Sequence, residues 1–327
     1  MTLPTFVVIG AAKAGTTSLY RYLSQHPEIF MPTLKETNFF ALEGHNLNFG
    51  GPGDADASRH SITDLRSYRE LYAAGRKLRV RGDCSPMYLF AENAARNIRK
   101  HVPYAKVIAI LRHPVDRAYS QFLDQYNRSY LWRVRPDRVD GNAFADALAR
   151  EEQRIAANWW PFWFYKSMGM YYQQLQRYFE LFPRPQIRVY LYDDLVNDAA
   201  AVLNDLFSFL QVNPAFVPDL MQRDNVSGVP KHPLLASLIG MGTSASTIVP
   251  PGPAHRLLKQ LRDRISRYNT TEPPPLEPEL RRKLQRHFSE DLRRLETLIG
   301  RDLSAWRGEP HEPKPVDPSG LLGLRPA

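Results

Sequence analysis

One cysteine, Cys84, is all the thiol chemistry this chain carries. An intrachain disulfide and a thiolate zinc cluster are therefore excluded, and a reducing compartment fits. Long apolar runs are missing as well. No window approaches the ~18 uninterrupted apolar residues of a membrane-spanning helix. The aromatic cluster Trp159-Trp160-Pro161-Phe162-Trp163-Phe164-Tyr165 is too short to be one. Met1-Thr2-Leu3-Pro4-Thr5 lacks the basic and apolar regions of a signal peptide. A soluble, cytoplasmic protein is the expectation. There is no zinc-finger or RNA-recognition signature and no repeat at solenoid periods, so no nucleic-acid partner is expected. Nor is the positive charge concentrated. The formal charge is +9, from 43 Lys and Arg against 34 Asp and Glu, and the basic residues are spread along the chain. That pattern fits a plain basic surface or a site for a polyanionic ligand.

What is present is enough for one large α/β unit. The chain has 327 residues, 43% hydrophobic and 24% charged. Apolar runs at Phe6 to Ile9, Leu78 to Arg81, Lys106 to Leu111 and Ile187 to Tyr192 read as strands. Helical patterns fall at 16–25, 90–101, 114–127, 142–155, 168–181 and 199–210, and again at 254–267 and 277–299. Buried strands alternating with helices predict a parallel sheet covered on both faces, with a helical C-terminal portion. Residues 44–60 and 224–253 read as loops, rich in turn formers. One domain over 1–308 is expected, followed by a proline-rich, disordered tail over 309–327.

The first strand runs into Gly10-Ala11-Ala12-Lys13-Ala14-Gly15-Thr16-Thr17-Ser18, then into a helix. Strand, glycine-bounded turn and helix start together aim backbone N–H groups at an anion. The glycine spacing is that of a P-loop, but the lysine lies inside the loop and Thr16 stands where a nucleotide triphosphatase has its lysine. The pattern predicts a phosphate site without ordinary Mg-nucleotide chemistry.

Three further segments carry candidate chemistry. In Pro32-Thr33-Leu34-Lys35-Glu36-Thr37-Asn38-Phe39-Phe40 a Lys-Glu pair precedes an apolar anchor that can hold a carboxylate at a cleft edge. In Leu111-Arg112-His113-Pro114-Val115-Asp116-Arg117-Ala118-Tyr119-Ser120, Arg112 leaves the strongest strand at its carboxyl end, where open α/β sheets bind ligands. The planar fork of Arg112 suits a phosphate. Ser120 adds a hydroxyl on the following helix, and His113 reads as a helix cap. In Asn225-Val226-Ser227-Gly228-Val229-Pro230-Lys231-His232-Pro233, Lys231 is a candidate further phosphate contact. The stretch from Trp159 to Tyr172 reads either as core or as the lining of an acceptor pocket.

Taken in order, these segments resemble the sulfotransferases that use 3′-phosphoadenosine 5′-phosphosulfate (PAPS), in particular the bacterial and heparan-sulfate types. The Gly10 to Ser18 loop is similar to their 5′-phosphosulfate loop, and Arg112 to Ser120 to their 3′-phosphate motif. The Lys35 to Phe40 segment is similar to their catalytic-glutamate segment. Asp83-Cys84-Ser85-Pro86-Met87-Tyr88-Leu89 resembles another family segment, in which lysine is common where Cys84 stands. Leu295 to Trp306 resembles the close of bacterial members, so the likeness runs from about residue 4 to 307.

The resemblance implies a P-loop-type α/β fold and sulfonate transfer to a hydroxyl or amine. It implies that Lys13, Ala14, Gly15, Thr16, Thr17 and Ser18 hold the 5′-phosphosulfate, with Arg112 and Ser120 on the 3′-phosphate. Glu36 becomes the base and Lys13 the stabiliser of the bridging oxygen, with no dedicated metal site. The acceptor, a small molecule or a glycan, and any homo-oligomer stay open. The competing reading is a P-loop kinase or NTPase using Mg-ATP, with Asp83 as its metal carboxylate. A non-enzymatic module for polyanions is the third.

Overall fold

The computed structural model of the chain describes residues 2–131, 144–220, 229–230, 268–271 and 273–308. In chain order the first half carries β1 (Phe6–Gly10), α1 (Thr16–Gln25), β2 (Ile29–Phe30), α2 (Phe39–Leu42), α3 (Asp54–His60) and α4 (Leu65–Glu70), then β3 (Val80–Cys84), α5 (Met87–Phe90), α6 (Ala94–His101), β4 (Lys106–Leu111) and α7 (Pro114–Leu131). The second half carries α8 (Phe144–Ala149), α9 (Glu151–Ala156), α10 (Tyr171–Leu181), β5 (Ile187–Leu191), α11 (Tyr192–Asn197) and α12 (Ala199–Leu210). The short pair β6 (Val229–Pro230) and β7 (Thr270–Thr271) precedes α13 (Pro278–Ile299) and α14 (Ser304–Arg307).

The main sheet has the order β2-β3-β1-β4-β5, and every pairing in it is parallel. β1 is buried along its whole length, as a central strand covered on both faces must be. Side chains alternate between two cores. Val7, Ile9, Val107, Ala109 and Leu111 point to the larger one, and Phe6, Val8, Ile108 and Ile110 to the other. This is the expected α/β parallel sheet flanked by helices, of the P-loop kind.

The sheet contains one strand more than expected, the two-residue β2, which is too short to carry a period of its own. The second expected strand lies slightly later, at Val80–Cys84 instead of 78–81. The expected helix over 142–155 is two helices. Arg150 breaks it, and the buried carboxylate of Glu151 accepts from the backbone N–H groups of Lys166 and Ser167 at 2.7 and 2.8 Å. The 44–60 loop contains α3, anchored by buried Asp54. Its carboxylate accepts from Trp160 N–H at 2.7 Å and from the Trp163 indole at 3.0 Å. Trp160, Trp163, Phe164, Tyr165, Met168 and Tyr171 all lie in the larger core, so the aromatic stretch packs the protein interior. The expected helix at 254–267, the tail at 309–327 and Lys231 lie outside the described residues.

The C-terminal portion is helical. In α13, Leu284, Phe288, Leu292, Leu295 and Ile299 make a buried stripe at helical spacing, and Gly300 ends the helix in the left-handed region at φ 69°. Asp291, on the same helix, accepts from the Tyr172 backbone N–H at the start of α10.

Candidate active site

β1 and β4 are neighbours, so the loop leaving β1 and the residue leaving β4 emerge side by side at the carboxyl edge of the sheet. The strand order reverses there, which is where open α/β sheets place ligands. The two segments touch. Ala11 N–H donates to Ile110 O at 2.7 Å, and Arg112 Nη1 donates to Lys13 O at 3.1 Å.

Within the loop Lys13 and Gly15 both take the left-handed conformation, at φ 64° and 91°. Gly15 caps α1 with no side-chain hydrogen bond. The first N–H groups of α1 therefore open toward the cleft with the positive end of the helix behind them. A Cβ at Gly15 would also crowd the Tyr192 ring, at 3.1 Å from its Cδ2. The same tyrosine ring carries the Arg112 guanidinium, 4.9 Å from its centroid. Arg112 is thus pinned between the loop carbonyl and an aromatic face. Tyr171 OH donates to the Arg112 carbonyl at 2.9 Å. His113 Nδ1 accepts from Val115 N–H at 3.2 Å, the capping role its place before Pro114 suggests.

Glu36 reaches the same cleft from the far side of β1. Its N–H donates to Cys84 O at 3.1 Å, tying the segment to the end of β3. Glu36 and Asn38 are both left-handed, at φ 63° and 54°. For a glutamate that costs roughly 1–2 kcal/mol, so the surroundings must hold it there. The holder is Asp83. This carboxylate is fully buried and accepts from Tyr68 at 2.7 Å, Tyr88 at 2.8 Å, Ser85 at 2.8 Å and Thr37 at 3.1 Å. Burial pushes its carboxyl up even against those four donors. Thr37 is the neighbour of Glu36, and Ser85 Oγ accepts from Asn38 N–H at 3.3 Å. Phe39 and Phe40 are wholly buried, Phe39 stacked on Tyr68 at 4.2 Å.

Two ion pairs sit at the rim. Lys35 Nζ contacts Glu36 Oε1. Burial pulls the Lys35 ammonium down, but the adjoining carboxylate and the neighbouring Cys84 outweigh it and leave its pKa raised. Lys13 Nζ lies 3.2 Å from Asp124 Oδ1. Cys84, buried under Lys35, has its thiol pushed up to about 12 by burial, which leaves it an unreactive packing residue.

One cavity of about 160 Å³ gathers these groups. Its lining includes Lys13, Gly15, Thr16, Thr17, Ser18, Glu36, Arg112 and Ser120, all singled out in the sequence. Ala14 is not on its wall. Its side chain packs in the core and its N–H turns back to Ala11 O at 3.3 Å. The lining also includes Pro86 and Phe162, from the Asp83 to Leu89 segment and the Trp159 to Tyr172 stretch, and Gln121, Asp124 and Tyr192, which no motif indicated. Asp124 lies one helical turn beyond both Ser120 and Gln121, four and three residues on, a spacing visible in the sequence. Tyr192 is the first residue past the end of β5. Phe162 is the residue of the aromatic stretch that reaches the lining, the rest of it packing the core.

The C-terminal segment braces this arrangement from behind. Arg301 donates twice to the Asp194 carboxylate, at 2.9 and 3.1 Å, and the Trp306 indole donates to Asp193 at 3.3 Å. Both acceptors lie on α11, the helix that begins with Tyr192.

A family model described as the sulfotransferase family matches residues 4–215. A solved sulfotransferase from Alicyclobacillus acidocaldarius is 34% identical. It covers 94% of this chain and all of that one, with a TM-score of 0.71. Among curated proteins, the membrane-associated sulfotransferase kil1 of Dictyostelium discoideum is 22% identical over 72% of this chain. The bifunctional heparan sulfate N-deacetylase/N-sulfotransferase 4 of Mus musculus is 28% identical over 65%. The chain spans 62% of the first of these two and 23% of the second. Loop, arginine and glutamate thus sit in one cleft of a fold shared with a solved sulfotransferase, and the chain belongs to the sulfotransferase family.

Proposed function

We propose that this protein moves a sulfonate group from PAPS to a hydroxyl or amine of an acceptor, with Glu36 as general base. The observation that carries the reading is the single cleft in which a helix N-terminus, Lys13, the Arg112 fork and the Glu36 carboxylate meet. That donor set fits the nucleotide. The N–H groups at Gly15 to Ser18 and the Lys13 ammonium suit the 5′-phosphosulfate. The Arg112 guanidinium and the Ser120 hydroxyl suit a 3′-phosphate.

Bound PAPS supplies an activated sulfonate on a phosphate leaving group. Glu36 takes the proton of the attacking hydroxyl or amine, a contribution of about 10²–10⁴-fold in rate. Lys13 neutralises charge on the departing phosphate oxygen. Lys35 remains an ammonium beside Glu36 and fixes where that carboxylate points. The aromatic core presses Phe162 against the cleft, giving the acceptor one apolar wall. We place the reaction in the cytoplasm, in keeping with a lone buried thiol. Among the described residues no helix is long and apolar enough to cross a membrane.

The kinase reading needs a carboxylate free to hold a metal at the end of the second strand. Asp83 stands at that place, but its oxygens are taken by four hydroxyls. Thermal unfolding with adenosine 3′,5′-bisphosphate (PAP), or with ATP and Mg²⁺, separates the two readings. PAP without divalent cation is expected to raise the melting temperature by a few degrees. Stabilisation by ATP with Mg²⁺ and none by PAP would overturn the sulfotransferase reading.

A further inference from the structure

The donor and the base claim most of the cleft wall. In the sulfonate-transfer reading the loop, Arg112 and Ser120 go to the nucleotide, with Tyr192 backing Arg112 and Asp124 paired with Lys13. Glu36 takes the proton. Of the described lining, Pro86, Gln121 and Phe162 remain. We propose that Phe162 and Pro86 are the acceptor-binding surface, and that the acceptor carries its reacting group on an apolar carbon skeleton, aromatic or aliphatic. This rests on the sulfonate-transfer reading of the same cleft and deepens it. For an alcohol, the oxygen attacks sulfur as the bond from sulfur to the phosphate oxygen breaks. The proton goes to Glu36, and the products are a sulfate monoester and PAP.

Three observations carry the inference. Phe162 is the half-exposed ring of the run from Trp160 to Tyr165, whose other aromatic members are buried. Trp160 supports it edge-on, with ring centroids 6.0 Å apart. An apolar face is thereby turned to the cleft, and water leaves it when an alkyl or aryl group covers it.

The backbone under that ring is fixed. Pro161–Trp163 is a 3-10 turn, closed by Trp163 N–H on Trp160 O at 3.0 Å and Phe164 N–H on Pro161 O at 2.8 Å. Gln121 Nε2 donates to Phe162 O at 3.1 Å, Arg154 Nη1 to Trp163 O at 3.3 Å and Arg117 Nη2 to Tyr165 O. All three donors belong to buried side chains. A ring on such a backbone meets a ligand with little freedom left to lose. Gln121 also follows Ser120 on α7, so one helix carries a nucleotide contact and the anchor of the wall. Lastly, Pro86 directly follows Ser85, which donates to Asp83 at 2.8 Å, and Asp83 also holds Thr37 beside Glu36. The second apolar residue is part of the frame that aims the base.

The test uses the full chain with PAPS and follows PAP release. The acceptors are straight-chain primary alcohols from ethanol to octanol, alkylphenols of growing chain, and a hydrophilic panel of glycerol, glucose and glucosamine. In wild type, kcat/KM is expected to rise about two- to fourfold per added methylene until the wall is covered, mainly through KM. A rise in either apolar series supports the inference, and the steeper series names the skeleton. Phe162→Ala is expected to flatten that rise, with PAP affinity by calorimetry unchanged, and Phe162→Leu to keep most of it. Gln121→Leu is expected to raise KM for octanol more than it lowers kcat, because Phe162 loses its anchor. A flat series in wild type overturns the inference, as does faster turnover of the hydrophilic panel. A slope that survives in Phe162→Ala also overturns it. So does an equal loss of PAP affinity and of turnover on every acceptor in Phe162→Ala, since Phe162 would then serve the fold alone. Failure of the wild type to bind PAP is a separate result, and it removes the sulfotransferase reading itself.

Discussion

Glu36 is held in a costly backbone conformation by bonds that do nothing else for the cleft. Such strain gathers where a side chain must be aimed. Glu36→Gln keeps the shape and removes the base. Turnover should fall by about 10²–10⁴-fold while PAP affinity stays as it was. Unchanged turnover in a rapid assay of PAP release would take Glu36 out of the role. Asp83 tests the same claim one layer deeper. Asp83→Asn leaves one amide oxygen where two carboxylate oxygens took four hydroxyl donors, which should cost about 1–3 kcal/mol in denaturant unfolding. It should lower kcat more than it raises KM for the donor, because Thr37 loses the anchor that positions Glu36. A variant whose kcat is unaltered would show that Asp83 serves stability alone. At this scale Lys13 and Arg112 were legible from a glycine turn and a strand end, Glu36 from the Lys-Glu pair before the Phe39-Phe40 anchor, and Ser120 as a hydroxyl on the helix that follows Arg112. Phe162 was not. Its place on the wall depends on the fold of the aromatic stretch, and nothing local separates it from its buried neighbours Trp163 and Phe164.

The helices show where sequence periods suffice and where packing decides. α1, β4, α12 and α13 follow their apolar periods almost to the residue. The 142–155 pattern breaks at Arg150 because a buried carboxylate, Glu151, satisfies the N–H groups of a distant turn. No period reports such a bond. α13 carries a comparable buried acid. Burial raises the Asp291 carboxyl from 3.8 to about 6, against backbone N–H donation from Tyr172 and Tyr171. An acid whose folded pKa lies above its unfolded value holds more protons folded than unfolded in between. Its contribution to stability is therefore full below the unfolded value and declines as pH rises through the folded one. The stability of wild type relative to Asp291→Asn should fall by about 1–3 kcal/mol between pH 4 and pH 7. A difference that stays flat across that range would contradict the assignment.

Across the whole molecule, the parallel order β2-β3-β1-β4-β5 puts the Lys13 loop and Arg112 next to each other, and the Arg301 to Trp306 segment closes behind them. The sheet's class was legible from its apolar runs. The brace from Arg301 and Trp306 onto α11 was not, since it joins residues more than a hundred positions apart. The dispersed positive charge drew attention to polyanions in general. The cleft brings the loop and one arginine together, and our proposal narrows the polyanion to one nucleotide held by both. Calorimetry of Arg112→Ala tests this most directly. PAP should bind about 10–100-fold more weakly than to wild type, while adenosine 5′-phosphate, which lacks the 3′-phosphate, should bind both proteins alike. Equal PAP affinity in the two proteins, or an equal loss for both nucleotides, would contradict the account.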